Sequence, residues 1–115
     1  TAKRTRVVWL GLPIPRDAGL AARWQKMNEI QRTEAAKRPG QVLWVNLYDL
    51  MKDAGGNYSD YLPDASGQPQ LARSSDGIHY ETEGSNRVAA AIIQALATIA
   101  KVPGLKTGQQ PGIAP

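Results

Sequence analysis

Two short apolar runs bracket a long stretch in which apolar residues recur at helical spacing. The first run, Arg6 to Leu10 (Arg-Val-Val-Trp-Leu), stops at Gly11 and Pro13 and predicts a buried strand. Pro13 and Pro15 hold the next segment extended. Asp17 is then placed to cap a helix from about Ala18 to Lys37. Leu20, Trp24, Met27 and Ile30 share one face of that helix, with basic and polar side chains opposite. Arg38-Pro39-Gly40 ends it, since proline cannot continue the hydrogen-bond ladder and glycine permits the reversal. The second run, Gln41 to Leu47 (Gln-Val-Leu-Trp-Val-Asn-Leu), predicts another buried strand, and Tyr48 to Lys52 a helical turn. Strand, helix and strand make a βαβ unit, whose strands should pair in parallel through a right-handed crossover. The fold class this predicts is α/β.

From Asp53 to Ser75 the pattern changes, with Gly55, Gly56, Asn57, Pro63, Asp64, Gly67 and Pro69 breaking any period. Loops of this length inside a compact domain are uncommon and tend to be functional or disordered. Tyr58 and Tyr61 argue for packing, so the expectation is an ordered excursion with a small hairpin around Asp64 to Gly67. A last helix, about Thr82 to Val102, carries Val88, Ile92, Leu96 and Ile99 on one stripe. Ala89, Ile93 and Ala100 widen that stripe enough to cover a sheet. The tail, residues 103–115, is rich in glycine, proline and glutamine and is expected to be disordered. Residues 1–102 therefore form one domain. Two strands and two helices are too little for an independent three-layer domain, and an open parallel edge calls for a partner. Further strands are expected from an upstream segment of the same protein.

Charge and composition narrow the function classes. Fourteen Lys and Arg against ten Asp and Glu give a net charge of +4. The cations are dispersed: Lys3, Arg4 and Arg6 flank the first strand, while Arg23, Lys26, Arg32, Lys37 and Arg38 decorate the first helix. No aromatic residues interleave with them, so they read as solvated faces, with no nucleic-acid partner expected. The absence of cysteine excludes disulfides, thiolate metal sites and cysteine nucleophiles. No apolar run reaches the roughly 18 residues of a membrane span. A signal-peptide pattern is not visible either, which says nothing about where the parent protein resides.

The candidate chemistry lies in Ser75-Asp76-Gly77-Ile78-His79-Tyr80, where His79 is the only histidine of the chain. Asp76 is close enough in sequence to fold back onto one imidazole nitrogen and fix its tautomer. The other nitrogen is then free to take a proton from a nucleophile, as a serine hydrolase requires of its base and orienting acid. Gly77 permits the tight turn between them, and Ile78 is expected to point inward. The competing reading is an Asp–His hydrogen bond that only caps the helix. A metal site would have one histidine and otherwise only oxygen ligands, so no metal is expected. Arg73 either steers an anionic substrate or pairs with a loop carboxylate such as Asp64. Trp9, Trp44 and Tyr80 read as packing residues. Ser74 and Ser75 adjoin Asp76 but have no nucleophile-like setting.

Asp-Gly-Ile-His-Tyr with Gly84 five residues after the histidine, followed by a helix, resembles the last motif block of SGNH/GDSL hydrolases. The resemblance runs from Arg6 to about Val102. It implies the C-terminal part of a three-layer α/β/α, flavodoxin-like domain with a parallel sheet. By position His79 matches the family's catalytic base and Asp76 its orienting acid. The nucleophilic serine, and the glycine and asparagine that complete the oxyanion hole, would stand upstream of Thr1. The family often places threonine or serine two residues after the histidine as a helix cap. Here Glu81 stands there, and the cap is expected to shift to Thr82. Asn57 to Tyr80, with Arg73 and the Asp-Gly-Ile-His motif, is most similar to a bacterial, extracytoplasmic branch, implying a periplasmic or extracellular location. The activity implied is hydrolysis of acyl esters, O-acylated glycans among them, with no cofactor. A transfer to another hydroxyl would use the same residues. A non-catalytic binding or assembly module that kept the fold is the reading from another class, and a basic nucleic-acid binder a more distant third.

Overall fold

A computed structural model of the chain describes residues 5–99. Strand β1 (Val7–Leu10) and strand β2 (Val42–Val45) pair in parallel, with Val7 opposite Val42 and Leu10 opposite Val45. Helix α1 (Ala18–Ala36) connects them, so the predicted βαβ unit is present. Asp17 caps α1 as expected, its carboxylate accepting from Leu20 N at 2.7 Å. The apolar run of β2 is shorter than its hydrophobicity suggested. Asn46 leaves the strand to cap a one-turn helix, α2 (Leu47–Leu50), accepting from Asp49 N at 3.1 Å.

The docked face of α1 differs from the one its large apolar residues predict. Ala21, Trp24, Asn28, Gln31 and Ala35 turn inward, whereas Met27 and Ile30 are 48% and 65% exposed. Two amides decide this rotation. Buried Asn28 accepts from Leu12 N at 2.7 Å and donates to Leu12 O at 2.9 Å, satisfying an extended segment that Pro13 and Pro15 bar from secondary structure. Gln31 accepts from the Trp44 indole at 3.1 Å. Gly11 completes the seam: a Cβ there would lie 2.6 Å from the Trp44 ring.

The excursion is ordered. Strands β3 (Tyr61–Pro63) and β4 (Pro69–Leu71) form the expected antiparallel hairpin around Asp64 to Gly67. Helix α3 begins at Thr82 and is described to Ile99; its expected continuation over residues 100–102 and the tail 103–115 lie outside the described residues. Glu81, rather than Thr82, holds the cap position, since its carbonyl accepts from Ser85 N at 2.9 Å. The core gathers Ile14, Leu47, Tyr48, Met51, Leu62, Ala72 and Val88, with Val45 and Ile92 packed against it. Trp44 thus faces α1 and its neighbour Val45 faces α3, which places the two helices on opposite faces of the sheet. Gly84 lets α3 lie close: a Cβ there would stand 2.1 Å from the Ala72 carbonyl oxygen. Among the described residues no helix is long and apolar enough to cross a membrane.

Candidate functional site

The Asp76–His79 turn is a short closed loop carried on a β-bridge. Arg73 and Tyr80 form that bridge, and Ser74 N donates to His79 O at 2.8 Å. Within it Gly77 N donates to Ser74 O at 3.0 Å, and Gly77 adopts φ +73°, which a side chain would resist. The Asp76 carboxylate then organises the rest. Its Oδ1 accepts from Ile78 N at 2.8 Å and His79 N at 2.9 Å, while its Oδ2 meets His79 Nδ1 at 2.5 Å. A carboxylate only accepts, so Nδ1 carries the proton of this bond. In the neutral ring Nε2 therefore holds the lone pair.

The His79 side chain is 77% exposed and that of Asp76 45%. Nε2 has no partner among the described residues. The imidazole bond, followed by the two backbone N–H bonds, holds the Asp76 carboxyl far below the usual carboxylate range. The acid is thus ionised at any ordinary pH, as an orienting group must be.

The loop after the carboxyl end of β1 packs against this turn. Arg16 N donates to Gly77 O at 3.0 Å and Arg16 Nη1 to Ser75 O at 3.1 Å. A Cβ on Gly77 would lie 2.7 Å from the Arg16 Cβ. Arg16 also meets Asp60 Oδ1 at 3.2 Å, and the Tyr58 hydroxyl donates to the same oxygen at 2.6 Å. These two contacts, the tyrosine first, lower the Asp60 pKa, while burial and then Asp60 raise that of Tyr58. The turn thus sits beyond the carboxyl end of a parallel strand, where open α/β sheets bind their ligands.

Arg73 occupies neither place foreseen for it. Its side chain is buried, with the residue 1% exposed, and it does not pair with Asp64. Nη1 donates to Ile14 O at 2.6 Å and Nη2 to Ile78 O at 2.8 Å, and the guanidinium lies over the Tyr58 and Tyr80 rings at 5.0 and 5.6 Å. Asp64 instead spends its carboxylate on Ser66, Gln68 and Gln70 of its own hairpin. Ser74 is likewise engaged, its hydroxyl reaching Tyr80 O and Glu81 Oε1 at 3.4 and 3.2 Å. Arg16, Tyr58 and Asp60 were not singled out as site residues from sequence. No motif spacing links Arg16 to Asp60 across 44 positions; the only hint was a tyrosine in an otherwise polar loop.

Among the described residues, no three His, Cys, Asp or Glu side chains group closely enough to hold a metal ion. What the arrangement offers chemically is an oriented, accessible imidazole able to accept one proton and return it. No curated protein matches the chain. A family model does, over residues 1–95, and the chain belongs to the family described as protein of unknown function (DUF459).

Proposed function

We propose that the chain is the base-bearing part of an SGNH-type serine ester hydrolase. One observation carries this reading: Asp76 Oδ2 on His79 Nδ1 at 2.5 Å, with the opposite ring nitrogen exposed beyond the end of β1. A histidine that merely capped a helix would have its ring nitrogen on a terminal backbone group; here the cap position belongs to Glu81. In the proposed reaction His79 Nε2 takes the proton of a serine hydroxyl supplied by an upstream segment. The serine attacks the acyl carbonyl, and His79 returns the proton to the leaving alcohol. Water, deprotonated by the same nitrogen, attacks the acyl-enzyme, and His79 gives that proton to the serine oxygen as the acid leaves. Asp76 keeps the tautomer and stabilises the imidazolium at each step. Acylated carbohydrate is the substrate class suggested by resemblance, in a periplasmic or extracellular setting.

The test uses the parent protein and a simple acetyl ester. His79→Ala should lower turnover by roughly 10²–10⁴-fold or more, the usual contribution of general acid–base catalysis. The 115-residue chain alone should show none, because a base without its nucleophile cannot form an acyl-enzyme. Undiminished turnover in His79→Ala would sink the assignment.

A further inference from the structure

Arg73 is a buried guanidinium with no carboxylate in contact among the described residues. Its Nε has no hydrogen-bond partner. Burying a cation under such conditions is costly and calls for a reason beyond filling space. We propose that Arg73 is the positioning residue of the Asp76–His79 pair, acting through the Ile78 carbonyl. The proposal rests on the reading of His79 as a base and names what aims it.

The geometry centres on a single peptide group, the one joining Ile78 to His79. Its carbonyl oxygen accepts from Arg73 Nη2 at 2.8 Å, and its N–H donates to Asp76 Oδ1 at 2.9 Å. The peptide is rigid and planar, so pinning both ends fixes the plane from which the His79 side chain departs. Asp76 then closes the circuit by reaching the ring through Oδ2. Hydrogen bonds in a chain polarise one another. A cation on the carbonyl draws electrons from the amide and makes its N–H a stronger donor to Asp76. Arg73 and Asp76 therefore act on opposite ends of one resonant unit.

The second Arg73 nitrogen gives the pair its direction. Nη1 is bound to Ile14 O, 59 residues away in sequence, on the loop that follows β1. The fork thus ties the histidine turn to the wall where a substrate would lie. Tyr58 and Tyr80 hold the guanidinium from two rings. Lysine cannot reproduce this, since its ammonium is a point donor and not a planar fork.

Arg87 provides an internal control. It too donates to two carbonyls, Leu50 O at 3.3 Å and Pro63 O at 2.8 Å, and its Nε is also buried without a partner. None of its hydrogen bonds reaches the histidine turn.

The experiment follows the His79 ring by NMR in the ¹⁵N-histidine-labelled parent protein, with His79→Ala identifying the signal. In Arg73→Lys the hydrogen-bonded Nδ1 proton should move upfield and exchange faster with water. Acetyl-ester turnover should fall by about 10²-fold in kcat with KM unchanged, the scale of a small misplacement of a catalytic group. Arg87→Lys should lower thermal stability yet leave the His79 signal in place. An unmoved signal and unchanged kcat in folded Arg73→Lys would overturn the proposal. Should that variant lose its tertiary structure, Tyr58→Leu compared with Tyr58→Phe decides, since both lose the hydroxyl bond to Asp60 and only leucine removes a ring from the guanidinium, leaving both carbonyl acceptors. A smaller shift in the same direction, greater with leucine than with phenylalanine, supports the positioning role, and an unmoved signal or equal shifts overturn it. The ring signal needs no substrate. Failure of the esterase reading, seen as full activity in His79→Ala, is therefore distinguishable from failure of this one.

Discussion

The chain builds two acid-and-glycine turns from nearly the same parts and puts them to different ends. In the hairpin turn, Gly67 N donates to Asp64 O at 2.9 Å and Gly67 adopts φ +86°. In the histidine turn, Gly77 N donates to Ser74 O at 3.0 Å with Gly77 at φ +73°. The difference is where the acid stands. Asp64 opens its turn, and both oxygens are consumed by Ser66, Gln68 and Gln70 around it. Asp76 stands directly before its glycine, so one oxygen settles the backbone and the other remains for the imidazole. Surroundings differ as well. Nothing approaches Gly67, whereas Arg16 covers Gly77. A turn of this kind becomes a candidate site when its acid is left one free oxygen and its glycine is built into a wall.

Exchanging each acid for its amide should show the greatest contrast. Asp76→Asn places an NH₂ or a neutral acceptor against Nδ1 and removes the charge that stabilises imidazolium, so ester turnover in the parent protein should fall by about 10²-fold or more, somewhat less than for His79→Ala. Asp64→Asn should leave turnover as it is. Equal losses in steady-state assays would mean that the two turns serve the same, purely architectural purpose.

Alanine at the two glycines should separate them by stability. Gly67→Ala meets only the left-handed backbone penalty, about 1–2 kcal/mol. Gly77→Ala meets that penalty and the Arg16 side chain, adding roughly 1–3 kcal/mol of overpacking. Chemical denaturation of both variants measures the gap, and identical midpoints would contradict the wall.

The smallest contrast is in acid. Both carboxyls are held below their ordinary value: Asp76 mainly by the His79 ring, Asp64 mainly by the Ser66 hydroxyl. A folded pKa below the unfolded one of about 3.9 stabilises above that value, and the contribution is lost as pH falls toward the folded pKa. Thermal midpoints should therefore drop below about pH 4, less steeply in Asp76→Asn than in wild type, with Asp64→Asn between them. A steeper fall in Asp76→Asn would mean that ionised Asp76 does not stabilise the fold.

The distinction between these turns was only partly legible in the sequence. Both were marked by glycine and aspartate, and the hairpin and the Asp76–His79 contact follow from local spacing. The βαβ unit was equally readable, because strand runs and a capped helix are short-range signals. What escaped was set by long-range partners. Met27 and Ile30 suggested the wrong face of α1, since Asn28 satisfying Leu12 and Gln31 meeting Trp44 outweigh two apolar side chains. Arg73 was read as steering an anionic substrate or pairing with a loop carboxylate because nothing near it in sequence reveals the Ile14 carbonyl. The cap of α3 at Glu81 was missed for a similar reason: its N–H is held by Ala72 O at 2.9 Å, a backbone contact with no signature in the residues around it.

Arg73 and Asp76 also divide the site by the time each part needs to form. The aspartate reaches the imidazole across three residues, a closure in the class of contacts that short loops make in about 10–100 ns. The arginine fork spans 59 residues between Ile14 and its own position, so it waits on β1 and the rest of the domain. During refolding the acid and its base should meet early and repeatedly, while their aim at the β1 loop arrives only with the completed core. In the parent protein, recovery of the imidazole contact would then precede recovery of function, and the interval between them would measure how long the segments of Ile14 and Arg73 take to meet.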